Sequence, residues 1–239
     1  MGSRFEMYLN EYDTVFGFIP DLHLDGTPIQ IRGENVEVHT FCQMLIEPLQ
    51  ELSYLVFLGD TIDNLKNRKM FSKALAQYHI LSKTLDEYNM VPKTLYLQGN
   101  HDPPPQYFVW RKPVQVWREV RIALHPYQDV IMCHGSHMGL EPYMNQHMTD
   151  EKVEEWRTNL ECPVMNKKIR KDDYLIVGHK HDGFLNREAN SMGVPAMKTY
   201  INSPLQDKLS CIGMFCIGSE DNLYKPHLAI EKPTGYLSF

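Results

Sequence analysis

The chain lacks a basic surplus, a cysteine framework and any long apolar run. Its formal net charge is −6, so no overall positive field gathers a polyanion, which argues against processive work on nucleic acid. Five cysteines are an odd number, and Cys133, Cys211 and Cys216 sit inside apolar runs. That argues against a disulfide framework and for a reduced, cytoplasmic setting. Cys211 and Cys216 are too far apart for a zinc knuckle and have no second pair beside them. No stretch reaches the roughly 18 apolar residues of a membrane helix, so no membrane partner is expected. Met1 to Asp13 lacks the basic and apolar regions of a signal peptide. Internal repeats and low-complexity linkers are missing too, so residues 1–239 read as one domain.

What the chain has in surplus is histidine, eleven in all, and the order along the chain shows why that matters. Asp13 to Pro20 (DTVFGFIP) reads as a buried strand ending in Asp21-Leu22-His23-Leu24. Asn35 to Leu52 follows at helical spacing, with Pro48 expected to end or kink it. Tyr54 to Leu58 (YLVFL) is a second buried strand and ends in Gly59-Asp60-Thr61-Ile62-Asp63. Leu65 to Tyr88 is the longest amphipathic pattern, with Phe71, Ala74, Leu75, Tyr78, Leu81 and Leu85 on one face. Thr94 to Leu97 is a third strand and runs into Gln98-Gly99-Asn100-His101-Asp102. Strand alternating with helix predicts a parallel sheet with right-handed crossovers, whose ligands gather at the carboxyl ends of the strands.

The second half is less regular. Pro103-Pro104-Pro105 forces an extended exit. Val114 to Leu124 and Asp129 to Cys133 read as two strands joined across His125-Pro126-Tyr127, the second ending in His134-Gly135. Ser136 to Asp173 is polar and reads as a flap, with a helix from about Asp150 to Leu160. Tyr174 to Val177 is another buried strand, ending in Gly178-His179-Lys180-His181. Met197 to Ile201, Ser210 to Ile217 and Tyr224 to Ile230 read as strands of a second sheet.

Five strand ends thus carry metal-ligand chemistry: Asp21 with His23, Asp60 with Asp63, Asn100 with His101, His134, and His179 with His181. They recur at intervals of roughly 35 to 45 residues, about one strand and its crossover. Parallel strands would bring them to one sheet edge. In Asp21-x-His23 and His179-x-His181, an extended backbone would turn both side chains to the same side. Carboxylate, imidazole and amide together suit borderline divalent ions such as Mn, Fe or Zn better than a thiolate site does. Any one cluster alone is more often a turn; five in order, each closing an apolar run, are not chance.

The succession D-x-H, G-D-x-x-D, G-N-H-D, H-G and G-H-x-H, from Asp21 to His181, resembles the calcineurin-like metallophosphoesterase superfamily. Tyr200-Ile201-Asn202-Ser203 resembles that family's late strand. The resemblance implies an α/β fold, a four-layer αββα sandwich of two mixed sheets flanked by helices, with the flap insertion around 136–173. It implies two divalent metal ions, Mn foremost and Fe, Zn, Ni or Mg as alternatives. One would take Asp21, His23, Asp60 and His181; the other would take Asp60, Asn100, His134 and His179, with Asp60 as the bridge. His101 would be the general acid, Asp63 would orient its ring, and Asp102 would support the ligands from behind. The implied reaction is hydrolysis of a phosphate ester by a hydroxide that the two metals activate.

Departures from the pattern narrow the branch. Protein Ser/Thr phosphatases resemble D-x-H-G, G-D-x-x-D-R-G and G-N-H-E, where this chain has Leu24, Asn64-Leu65 and Asp102. The lipid A pathway pyrophosphatase carries arginine at the place of His101. Repair nucleases share G-N-H-D and G-H-x-H but are longer and carry a DNA-capping domain. A phosphodiesterase acting on nucleotide-type substrates is therefore expected, with nuclease and phosphomonoesterase as alternatives. Phe108 and Trp110 are candidates to stack on a base, and Lys167, Lys168, Arg170 and Lys171 to meet phosphate. Against these stand flap packing for the aromatics and plain solvation for the basic run. His137 and His147 are not expected among the ligands. From a different class, some members of the fold are catalytically inactive binding scaffolds. Their usual mark is loss of the acid or of ligands, and here every such position is filled.

Overall fold

A computed structural model of the chain describes residues 4–8, 14–31, 34–110, 112–113, 115–125, 128–144, 146–160, 169–197, 212–220 and 223–231. In chain order its elements begin with β1 (Arg4–Tyr8), β2 (Thr14–Ile19) and a small ribbon of β3 (Ile29–Ile31) and β4 (Glu34–Val36). Next come α1 (Val38–Glu51), β5 (Tyr54–Phe57), α2 (Arg68–Glu87) and β6 (Thr94–Leu97). A second ribbon, β7 (Val109–Trp110) with β8 (Lys112–Pro113), leads to β9 (Val116–Trp117), β10 (Glu119–His125) and β11 (Gln128–Cys133). The chain continues through α3 (Asp150–Asn159), β12 (Tyr174–Val177), β13 (Phe184–Asn186) and β14 (Ser191–Gly193) to the hairpin of β15 (Ile212–Glu220) and β16 (Leu223–Glu231).

These strands make two six-stranded sheets, both mixed. The first has the order β16-β15-β2-β5-β6-β9 and the second β1-β10-β11-β12-β14-β13. In the first, β2, β5, β6 and β9 run parallel. In the second, β11, β12 and β14 do. The strands alternate their side chains between faces, and that alternation builds the layers. Val56 and Leu58 turn inward with Phe16 and Phe18 to meet Val130, Met132 and Ile176 of the second sheet. Their neighbours Leu55 and Phe57 turn outward against Phe41 and Leu45 of α1 and Tyr78, Leu81 and Leu85 of α2. On the far side, Ile131, Cys133, Leu175 and Val177 pack against Val153 and Trp156 of α3. Three apolar seams separate four layers, and full burial of each such side chain is worth about 1.5–3 kcal/mol. The αββα sandwich expected from the resemblance is the fold observed.

Several elements differ from the sequence reading. The helix read from Asn35 begins at Val38, because Glu34 to Val36 pair with Ile29 to Ile31 instead. It then runs through Pro48, whose missing N–H falls in the final turn, where one lost bond is tolerated. The strand read from Val114 to Leu124 breaks at Arg118: Val116 and Trp117 pair with β6 in the first sheet, and Glu119 onward lies in the second. The insertion at 136–173 contributes the flanking layer itself, since α3 buries Val153 and Trp156 on the outer face of the second sheet. The two C-terminal strands, assigned to the second sheet, in fact complete the first, because β15 pairs antiparallel with the free edge of β2. Tyr200-Ile201-Asn202-Ser203 lies outside the described residues.

Candidate metal centre

The five strand ends meet, but not along one sheet. Asp21, Asp60 and Asn100 follow β2, β5 and β6 of the first sheet; His134 and His179 follow β11 and β12 of the second. The two sheets face each other, so the clusters converge across the gap between them. Left-handed backbone marks the place. Asp21, His23, Asp60 and His179 have φ of 50°, 45°, 49° and 65°; among the described residues the other two non-glycine residues with positive φ are turn asparagines, Asn89 and Asn190. Asn, Asp and His tolerate this region better than other side chains, yet a non-glycine residue held there still carries strain, and such strain gathers at functional sites.

Asp21 receives a hydrogen bond on Oδ2 from the backbone N–H of His179, at 2.9 Å. Its Oδ1 is buried and accepts none, lying 3.5 Å from His181 Nε2 and 4.0 Å from His23 Nε2. A buried carboxylate oxygen without a donor is costly unless a cation takes that role. Asp60 Oδ1 accepts from the His101 N–H at 2.7 Å. Its Oδ2 lies 3.2 Å from His134 Nε2 and 3.8 Å from His23 Nε2, between the two sides of the site. Asn100 Oδ1 is 3.0 Å from the same His134 nitrogen. The His134 ring is held from behind, with Nδ1 2.8 Å from the Leu58 carbonyl, which fixes the tautomer and leaves Nε2 facing the site.

Donor atoms fall into groups within 4.8 Å of one another: Asp21, His23 and His181; Asp60, His134 and His179; and, sharing His23 with the first, His23, Asp63 and His101. Mixed carboxylate and imidazole donors at this spacing fit divalent ions of the borderline class. Asp63 was expected to orient His101, yet its Oδ1 is 2.6 Å from His23 Nδ1 and 3.8 Å from His101 Nδ1. Its hydrogen bond therefore goes to His23, because that buried ring is the nearer and the more fixed of the two. The His101 ring is 57% exposed.

Electrostatics bind the groups together. Burial alone would raise the Asp60 carboxyl, but His134 and His23 bring it down to about 2. Burial would lower His134, and Asp60 and Asp21 overcome it, raising the ring to about 9. His23 is opposed by burial and raised by Asp63, Asp21 and Asp60. Asp102 is pushed up to about 7 by burial, against the backbone hydrogen bonds it accepts from Ile62 and Gly99. Those bonds, with a third from Asp60 N–H, are 3.0, 2.8 and 2.9 Å long, so Asp102 ties the second and third strand ends together as the expected support. Gly99 serves by its size: a Cβ there would sit 2.0 Å from Asp60 Oδ1 and 2.2 Å from Asp60 N. Nothing local in the sequence signals this close approach; only the packing does.

Other expectations fare differently. Phe108 is fully buried, its ring 5.5 Å from Tyr78 and 6.0 Å from Tyr96, so it belongs to the core and not to a substrate platform. The neighbour that faces solvent is Tyr107, 41% exposed and edge-on to Phe71, which the sequence reading passed over. Arg170 is braced by Asp129 at 3.1 Å and Asp173 at 2.9 Å, Lys171 is exposed, and Lys167 and Lys168 lie outside the described residues, as does the side chain of Trp110. His137 and His147 join none of the three groups. Also unanticipated is Lys180, buried between the last two histidines.

No family model matches the chain, and no curated protein does. Among solved structures, Yfce, a phosphoesterase from E. coli, is 14% identical with a TM-score of 0.49, over 90% of this chain and 98% of that one. Vacuolar Protein Sorting 29 from Cryptosporidium parvum is 11% identical with a TM-score of 0.48, over 93% and 100%. A predicted phosphoesterase from Streptococcus pneumoniae is 10% identical with a TM-score of 0.43, over 92% and 99%. None of these likenesses bears on substrate. Among the described residues no helix is long and apolar enough to cross a membrane. Two mixed sheets between helical layers form an αββα sandwich, and the D-x-H, G-D-x-x-D, G-N-H-D, H-G and G-H-x-H clusters converge at its strand ends.

Proposed function

We propose that the protein hydrolyses phosphate esters with two divalent metal ions, and that its substrates are nucleotide-type phosphodiesters. The observation that carries this reading is the pair of donor groups, Asp21 with His23 and His181 and Asp60 with His134 and His179, that share an acidic edge at Asp60. Asp21, His23, Asp60 and His181 would hold one ion, and Asp60, Asn100, His134 and His179 the other. When bound, such a pair supplies water acidified to a nucleophile and positive charge for the phosphoryl oxygens.

The chain's own residues do the rest. Asp63 holds the His23 ring through Nδ1 and so presents Nε2 to the first group. His101 is fixed by its backbone at both ends, N–H to Asp60 and carbonyl accepting from Asn64 N–H at 2.8 Å. Its exposed ring is left free to hand a proton to the leaving oxygen, help worth about 10²–10⁴-fold. Exposed Tyr107, six positions along, supports a substrate with a base to stack on. The net charge of −6 supports a small ester over a polynucleotide.

The test is hydrolysis of bis-p-nitrophenyl phosphate and p-nitrophenyl phosphate by the purified protein with Mn. Preference for the diester is the expected result. Preference for the monoester overturns the diesterase reading, and single-stranded DNA as the best substrate would make it a nuclease. Two Mn bound with no hydrolysis of any of these would leave the protein a binding scaffold.

A further inference from the structure

We propose that Lys180 and Asp182 form a buried ionic clasp that steers His179 and His181 to different donor groups, making Lys180 a positioning residue of the centre. This rests on the two-metal reading above. An extended Gly178-His179-Lys180-His181 would send both imidazoles the same way. Instead the segment turns twice within six residues. Lys180 N–H bonds to the Gly178 carbonyl at 2.7 Å and Gly183 N–H to the Lys180 carbonyl at 2.9 Å, with φ of 65° at His179 and 63° at Gly183. The rings part accordingly. His181 Nε2 lies 3.5 Å from Asp21, while the His179 ring stands edge-on to His134, centroids 4.9 Å apart, in the group of Asp60.

The side chain between the two prongs is Lys180. It is 1% exposed and its Nζ pairs with Asp182 Oδ1, on a side chain 2% exposed. Among the described residues no other lysine is buried. Stability does not explain it: a buried ion pair costs several kcal/mol in desolvation for each ion, and apolar side chains of like size often do as well or better. Position does. The pair spans the two residues that flank and follow His181, so it closes the turn from within and holds the imidazoles apart.

The test is calorimetric titration of the metal-stripped full chain with Mn²⁺, set beside its melting temperature in EDTA. The variants are K180M/D182L, which replaces the pair by apolar side chains, and D182N, which keeps its shape and weakens its charge. The wild type should bind two Mn. K180M/D182L should melt in EDTA at or above the wild-type temperature and yet bind at least one Mn about 10- to 100-fold more weakly. Should it fail to fold, D182N decides, with an affinity loss of about tenfold expected at an unchanged EDTA melting temperature. Wild-type Mn affinity at both sites in a folded variant overturns the clasp, as does a loss that only tracks a fall in EDTA stability, or a D182N that does not fold. A wild type that binds no Mn overturns the two-metal reading and the clasp with it; two Mn bound with the same affinities in wild type and variants overturns the clasp alone.

Discussion

The two sheets contribute to the centre in different currencies. The first sheet supplies all the acid, Asp21, Asp60, Asp63 and Asp102, and one imidazole donor, His23; backbone strain falls in both, at Asp21, His23 and Asp60 in the first and at His179 in the second. The second supplies imidazoles, His134, His179 and His181, each braced by something other than a site carboxylate: the Leu58 carbonyl for His134, the turn around Lys180 for the other two. Neither sheet alone completes the group of Asp21, His23 and His181 or that of Asp60, His134 and His179, since each of these two draws on both sheets; only His23, Asp63 and His101 come from the first sheet by itself. The seam that holds the sheets face to face, Phe16, Phe18, Val56 and Leu58 against Val130, Met132 and Ile176, therefore sets the spacing of the donors. The lesson is that this centre is an interface as much as a site.

The largest test of that contrast sets Asp60→Asn against His134→Ala. Asp60 borders both groups and His134 one, so D60N should lose tight Mn binding at both sites and more than about 10³-fold of activity, metal catalysis being worth several kcal/mol. H134A should keep one Mn. Equal stoichiometry in the two variants, by calorimetry, would break the comparison. Next comes His101→Ala, a first-sheet residue outside the proposed ligand set: turnover of a diester with a poor leaving group should fall about 10²–10⁴-fold with two Mn still bound. Full activity would remove His101 from the acid's role. Gly99→Ala should cost about 1–3 kcal/mol of stability by overpacking against Asp60, read by denaturant melts, and should weaken Mn binding in step; an unchanged melt would mean that the two strand ends have more room than 2.0 Å implies.

The smallest expected effect is one of pH on the metal-stripped protein. His134 is raised to about 9, above its unfolded value near 6.5, so its contribution is whole below 6.5 and lost as pH rises through 9. Asp102, raised to about 7, also favours the fold at lower pH. Asp60, lowered to about 2, contributes above its unfolded value near 3.9 and loses that only as pH falls toward 2. Melting temperature in EDTA should thus decline between pH 6.5 and 9, and saturating Mn should flatten the decline, because the metal competes for the same nitrogen. A melting temperature that rises over that range would contradict the charge balance between the sheets.

Much of this was legible beforehand where chemistry sits at a strand end. DTVFGFIP, YLVFL and YLIV each stop in a polar cluster, and the motif order is local information. What was not legible is long-range. The hydrophobic content of β15 cannot say which sheet it joins, since β2 offers an edge that only the assembled fold reveals. Val114 to Leu124 reads as one apolar run, though tertiary pairing divides it at Arg118. Phe108 and Tyr107 are adjacent aromatics, and which one is buried is decided by Tyr78 and Tyr96 from another helix and strand. Lys180 was visible as a lysine between two histidines, but its burial was not.

The pairing of β15 with β2 bears on how the chain is made. Thr14 of β2 lies opposite Ile217, so that edge waits for some two hundred further residues to be synthesised. At about 5–20 residues per second, the apolar segment TVFGFI keeps an unpaired edge for roughly 10–40 seconds after it leaves the ribosome. Open, apolar strand edges are where chains stick to one another, and so the nascent protein has its greatest need of a chaperone before β15 emerges.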